Sequence, residues 1–128
     1  EKHLRHLLKL KPDHAHALNA LGYSLADRNI RLDEASDLIS RAVALAPEDP
    51  FIMDSLGWVQ FRQGKLPEAL KTLEKAYAIK ADPEIAAHLG EVLWTLGRKE
   101  DAARLLNEAA KKNPDNDVLA AALKKFQP

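Results

Sequence analysis

The side chains able to do chemistry in this chain are few and scattered. Five histidines, His3, His6, His14, His16 and His88, invite a test for metal. His3 and His6 share a helix face and His14-Ala15-His16 straddles a helix start, spacings from which zinc sites are built. With no cysteine and no clustered carboxylates to complete four ligands, surface positions are expected for the histidines and no metal site is expected. The serines Ser24, Ser36, Ser40 and Ser55 lack the strand-turn-helix setting of an activated nucleophile. Glu34, Glu68 and Asp101 each precede an alanine and recur at a fixed period. Recurrence fits complementing the helix dipole at helix starts and argues against a unique catalytic acid. No glycines cluster into a phosphate-cradling loop. The expectation is therefore neither an enzyme nor a cofactor-binding protein. Recognition is the remaining chemistry, and the seven aromatics are its candidate carriers, since aromatic side chains bury much area at little entropic cost.

The elements that would position them follow from periodicity. Leu21-Gly22, Leu56-Gly57 and Leu89-Gly90 repeat at separations near thirty-four residues, and Gly64 and Gly97 lie seven residues beyond their partners. Apolar residues at helical spacing predict a helix to Leu10, stopped at Lys11-Pro12, where proline's missing N–H breaks the ladder. A helix then runs from His14 or Ala15 to about Asp27, and its partner from Asp33-Glu34 to before Pro47. Pro50 and Pro67 open the next pair, Pro83 and the Asp101 region the third, and Asn116 to Phe126 forms a last helix with Lys124 and Lys125 on its outer side. No segment alternates with the period of a strand. Glu1 to Leu10 reads as the second helix of a pair whose first is missing, so the chain is expected to be a piece of a longer protein.

Composition sets wide limits. The 128 residues and 46% hydrophobic content suit one domain with a continuous core. Nineteen cations balance nineteen anions, which offers no bulk attraction for nucleic acid or an anionic membrane. Residues 15–49 are the acidic stretch, with three cations against six anions. The apolar runs are too short to cross a bilayer.

The Leu-Gly pairs, the loop glycines, the small residues Ala35, Ala69 and Ala102, then Ile39, Leu73 and Leu106, then Ala42, Ala76 and Ala109, with Pro47 and Pro114, resemble the tetratricopeptide repeat (TPR). The resemblance covers the whole chain and implies an all-α, right-handed α-solenoid. Its parts would be residues 1–14 as the second helix of a truncated repeat, repeats at 15–49, 50–82 and 83–116, and a capping helix at 117–128. There are departures: one extra residue in the turn from Asn29 to Leu32, one residue fewer after Ile79, and Leu18, Met53 and Ala86 where an aromatic is usual. Small shifts of pitch are expected from them. The run from Asp82 to Trp94, with Leu56-Gly57-Trp58-Val59, is similar to the C-terminal repeats of long proteobacterial TPR lipoproteins that act as periplasmic adaptors. That likeness implies a periplasmic, outer-membrane-associated protein whose partner is a processing protease or its substrates; a cytoplasmic scaffold is the alternative.

In such arrays the first helices of the pairs line the concave side. The resemblance and helical spacing together imply a peptide-binding groove of Asn19, Tyr23, Asp27, Phe51, Asp54, Trp58, Phe61, Arg62, Glu84, Glu91 and Trp94. His16, Ala26, Ala87, Thr95, Val118, Ala121 and Lys125 complete its inward face. Trp58 and Tyr23 are expected to face the groove as anchors, whereas Phe61 and Trp94 divide evenly between groove and core, and Phe51 has the stapling of a turn as its alternative role. The places where a TPR subgroup grips a terminal carboxylate hold Asn19, Tyr23, Ser55, Glu84 and His88; only Asn19 suits that task and Glu84 opposes it. The functional expectation is a protein-interaction module that takes a partner's peptide or helix in its groove, within a larger scaffold. The alternative is a structural spacer or self-association segment, with a homodimer through the truncated N-terminal end.

Overall fold

A computed structural model describes residues 2–126. These residues form eight helices in chain order: α1 Lys2–Leu10, α2 Ala15–Asp27, α3 Leu32–Leu45, α4 Pro50–Arg62, α5 Leu66–Ile79, α6 Pro83–Thr95, α7 Lys99–Lys112 and α8 Asp117–Lys125. The expected positions of Glu1, Gln127 and Pro128 lie outside the described residues. Each inner-layer helix starts from a side-chain cap. Asp49 accepts from the Phe51 and Ile52 amides at 2.9 and 3.2 Å, and Asp82 accepts from Glu84 and Ile85 at 2.9 and 3.4 Å. His14 Nδ1 and Asn116 Oδ1 do the same for α2 and α8 at 3.1 and 2.9 Å. Caps of this kind satisfy the donors that a helix start leaves without partners. Proline at the first turn of α4 and α6 costs nothing there, because its missing N–H would have had no helical partner.

α2 packs on α3, α4 on α5 and α6 on α7, and the approach is close because glycine meets a branched residue at each crossing. A Cβ on Gly22 would lie 2.5 Å from Ile39 Cγ1, and one on Gly57 would lie 2.6 Å from Leu73 Cγ. Ala35, Ala69, Ala102, Ala42 and Ala76 are fully buried in the same seams, as are Ile39, Leu73 and Leu106. The turns within pairs need one left-handed residue, supplied by Gly64 (φ 80°) and Gly97 (φ 87°). In the first pair Asn29 takes that place at φ 56°, and the extra residue is absorbed by Arg31 at φ 45°. Asparagine is among the few residues that tolerate this conformation.

Curvature follows from which helices meet. α2, α4, α6 and α8 approach one another in sequence along one layer, whereas α3, α5 and α7 show no mutual backbone approach among the described residues. A layer whose rods touch, backed by one whose rods splay, curves toward the touching side. The inner layer is therefore α2, α4, α6 and α8. Its C-terminal end is closed by Leu119 and Phe126, both buried against Ala86, Leu106 and Ala109.

Candidate functional site

The inner surface is built around one histidine. His88, on α6, reaches back to α4, where its Nδ1 lies 2.9 and 3.0 Å from the two carboxylate oxygens of Asp54. With Nδ1–H donating to the carboxylate, Nε2 is left to accept from the Tyr23 hydroxyl of α2 at 3.3 Å. The imidazole also stacks on Trp58 with ring centroids 4.2 Å apart and planes inclined by 25°. Three successive inner helices are thus joined through a single ring. Phe61 stacks on Trp58 from its own helix at 5.1 Å, and the Arg62 guanidinium lies 4.8 Å from the Trp58 ring centre. The Trp58 indole N–H donates to Asp27 Oδ1 at 3.3 Å, and Arg62 donates to the Asp27 carbonyl at 3.3 Å.

The order Tyr23–His88–Asp54 has the form of a nucleophile, base and orienting acid, but its electrostatics oppose that use. Burial, then the carboxylates of Asp27, Asp54 and Glu84, push the Tyr23 phenol well above its ordinary value, with Arg62 opposing only in part. An activated nucleophile needs the reverse shift. Burial also raises Asp54, against the hydrogen bond and charge of His88 and helped by Asp82. The arrangement orients rings and supplies a buried carboxylate with a hydrogen-bond donor.

Several expectations are corrected by this geometry. Trp58 is not an open anchor: at 4% exposure it is sealed beneath His88, because the next inner helix arrives one repeat later with a flat ring at that height. Asp54, at 6% exposure, is committed to His88 and cannot set a ligand's polarity as a free carboxylate. Ala26 faces inward but is wholly within the core. His88 is no surface histidine; its side chain is 13% exposed. Tyr23 is half-buried rather than open. Glu91 is paired with Lys125 of α8 at 2.9 Å. Trp94 turns away from the Trp58 cluster and tilts against Phe126 at 5.2 Å, with Lys99 over its ring. Phe51 stays 45% exposed. Asp27 and Arg62 form the groove's other polar pair, 3.9 Å apart. His16 and Thr95 are exposed at the margins.

Two small cavities flank the cluster. The first, about 180 Å³, is lined from α2 by Asn19, Ala20 and Tyr23, from α4 by Phe51, Asp54 and Ser55, and from α6 by Glu84. The Asn19 Oδ1 atom there is buried without a hydrogen-bond partner. The second, about 210 Å³, has Trp58 and His88 at its floor, Ala87, Val118, Ala121 and Ala122 in its walls, and the Glu91–Lys125 pair at its edge. Among the described residues no three metal-ligating side chains gather, and no helix is long and apolar enough to cross a membrane.

Comparison with known proteins gives the pairs a family. One tetratricopeptide-repeat sequence model matches residues 60–125, just over half of the chain, and a second matches residues 1–50. The chain belongs to the tetratricopeptide repeat family. A TPR repeat-containing protein of Pseudomonas aeruginosa is 54% identical over 91 residues, which are 71% of this chain but 15% of that protein. Among solved structures, a thermophilic TPR protein of Thermus thermophilus superposes with a TM-score of 0.85 at 20% identity, over 98% of this chain and 70% of the other. The first TPR of Spaghetti (RPAP3), solved bound to an HSP90 peptide SRMEEVD, gives 0.73 at 20% identity over 88% and 89% of the two chains. These likenesses fix the TPR solenoid as the fold. Within it, the residue that the sequence reading missed as a centre is His88. A signal for it existed: Asp54 and His88 stand thirty-four residues apart, one repeat, which brings neighbouring inner helices to the same height.

Proposed function

We propose that this TPR segment is a protein-interaction module whose concave groove receives a peptide or helix from a partner, as part of a larger scaffold or adaptor. The observation that carries the reading is the pair of side-chain-sized cavities on the inner layer, with Phe51 and Val118 left 45% and 41% exposed beside them. Exposed apolar groups beside concavities are characteristic of interaction sites. The peptide bound to the first TPR of Spaghetti supports the reading by likeness. In this proposal Phe51 and Val118 make the open apolar contacts, Tyr23 lines one cavity and Trp94 braces the far end. Trp58 and Phe61 hold the floor, and Asn19, Asp27, Arg62, Glu84 and Glu91 supply the polar margin. The test is a pull-down with the intact protein, repeated with Phe51→Ser and Val118→Ser. Loss of at least about tenfold in captured partner at unchanged melting temperature is expected; undiminished capture by both variants defeats the reading.

The same reading puts the full-length protein in the periplasm, associated with the outer membrane, holding a processing protease or its substrates. Its support is the resemblance carried by residues 82–94 and 56–59. Fractionation of the tagged full-length protein by osmotic shock tests it, and recovery with the cytoplasm replaces it. A second reading, a structural spacer, draws on the Tyr23–His88–Asp54 linkage, which ties three inner helices into one rod. A spacer predicts that groove substitutions leave every partner interaction intact. Self-association through α1 would appear as a mass that rises with concentration in sedimentation.

A further inference from the structure

The two cavities differ in chemistry, and the difference describes an occupant. Both are well below the roughly 300–1,000 Å³ of small-molecule sites, at about 180 and 210 Å³, so each suits one side chain. The first is rich in acceptors. Asn19 Oδ1 is buried with no donor, a state that native proteins rarely leave uncorrected. Glu84 is exposed at the same cavity and forms no ion pair among the described residues. Phe51 and Tyr23 contribute ring faces, and Phe51 already has the Lys80 ammonium 5.9 Å from its centre. Ser55 donates its hydroxyl to the Phe51 carbonyl, which leaves it no proton to offer a ligand. Of the carboxylates near Tyr23, Asp54 is committed to His88 and Asp27 to Arg62, which leaves Glu84 as the one with no ion pair among the described residues. A cationic side chain brings its charge and donors to the Glu84 carboxylate and lays its methylene stem along the rings. A carboxylate would meet Glu84, and only the Asn19 amide N–H could donate to it.

The second cavity is walled by small apolar residues, Ala87, Val118, Ala121 and Ala122, over the flat faces of Trp58 and His88. Its charged edge is already neutralised, since Lys125 and Glu91 hold each other at 2.9 Å. An aliphatic side chain fits this chemistry. The first cavity lies among α2, α4 and α6 and the second among α4, α6 and α8, a displacement of one inner helix. Packed helices stand about 8–10 Å apart and the linings on α4 and α6 also step on by about one turn, about 5 Å, a separation of roughly three to four residues of an extended chain rising about 3.1 Å each.

Resting on the peptide-binding reading above, we infer that the groove selects an extended segment with a lysine or arginine and, about three to four positions away, an aliphatic residue. The basic side chain enters the Asn19–Glu84 cavity and the aliphatic one the Ala87–Val118 cavity. This is a preference opposite in charge to the acidic peptide SRMEEVD seen with the first TPR of Spaghetti.

The probe is a random decapeptide display library, selected in parallel on the 128-residue chain, on Glu84→Lys and on Ala121→Phe. Both substituted positions are exposed, so circular dichroism should be unchanged. The parent should enrich the basic-aliphatic pair. Glu84→Lys should lose the basic preference and keep the aliphatic one, and Ala121→Phe should do the reverse. By calorimetry a selected peptide should bind Glu84→Lys at least about tenfold more weakly, with the difference shrinking in high salt. Enrichment of acidic peptides, or of preferences that neither substitution moves, overturns the inference while leaving a peptide-binding protein. Failure of all three to enrich any sequence overturns the inference and the peptide-binding reading together.

Discussion

Asp54 is held under the inner surface at 6% exposure, and burial pushes its carboxyl above the usual range. What makes its ionised form tolerable is the His88 N–H at 2.9 Å. Removing one partner of such a pair leaves an uncompensated buried charge, an effect of about 3–5 kcal/mol. His88→Ala should therefore lower stability by about 3 kcal/mol at neutral pH in urea unfolding. The loss should shrink in acid, where the raised Asp54 carboxyl takes up its proton, and Asp54→Asn in the same chain should recover more than half of it. Equal losses for the single and double variants would refute the pairing. Tyr23 gives a second test at the other end of the pH scale. Its phenol stays protonated in the fold above pH ~10, where the unfolded chain ionises. Above that pH the folded state binds more protons than the unfolded one, so stability present below it is lost as pH rises. Thermal melts between pH 9 and 11.5 should fall more steeply for the parent than for Tyr23→Phe; parallel curves would contradict the shift. The inward direction of Asp54, Tyr23 and Trp58 followed from the repeat resemblance together with helical spacing. Their closure by His88 was not legible from spacing within one helix; its one trace is the one-repeat separation of Asp54 and His88, which sets neighbouring inner helices at the same height.

At the scale of the helix pair the sequence was nearly transparent. The thirty-four-residue period of Leu-Gly pairs marks where two helices touch, and the structure finds the glycines at those crossings, each against a fully buried branched residue. Gly22→Ala is the sharpest probe. The added Cβ would stand 2.5 Å from Ile39 Cγ1 and 3.1 Å from the Ala35 carbonyl oxygen, and that backbone atom cannot swing aside. Overpacking of this kind costs about 1–3 kcal/mol, against about 1 kcal/mol that alanine returns as a better helix former. A net loss of up to about 2 kcal/mol is expected, and a second substitution, Ile39→Val, should relieve a small part of it by removing Cδ1, which stands 3.0 Å from the added carbon. A stabilised Gly22→Ala would mean that the pair is looser than its geometry. The turn from Asn29 to Leu32 was visible as one residue too long, but the device that absorbs it was not. Arginine has no preference for φ 45°, so nothing in the type of Arg31 announces a left-handed residue; its neighbours force it by fixing both ends of the turn.

Across the whole molecule, every helix leans on its neighbours and few contacts reach further, so stability should be distributed as a chain of pair and interface contributions rather than as one core. The junctions along the inner layer differ in how they are made. α2 meets α4 and α6 through Tyr23, Asp27, Trp58 and His88, a junction of hydrogen bonds and stacked rings. The C-terminal junction relies on Leu119 and Phe126 buried against Ala86 and Ala87 of α6 and Leu106 and Ala109 of α7, with the Lys125–Glu91 pair at its rim. That exposed pair adds little, since surface ion pairs are typically worth under about 1 kcal/mol, with Lys125 63% accessible. Leu119, by contrast, is fully buried, so Leu119→Ala should cost about 3 kcal/mol. In a solenoid that loss is local. Hydrogen exchange should accelerate first in α8 and then in α6 and α7, which lose their covered end, while amides of α2 and α3 keep the parent's protection. A uniform acceleration across all helices would instead show a single cooperative unit, in which the Tyr23–His88–Asp54 linkage transmits the damage from one end of the array to the other.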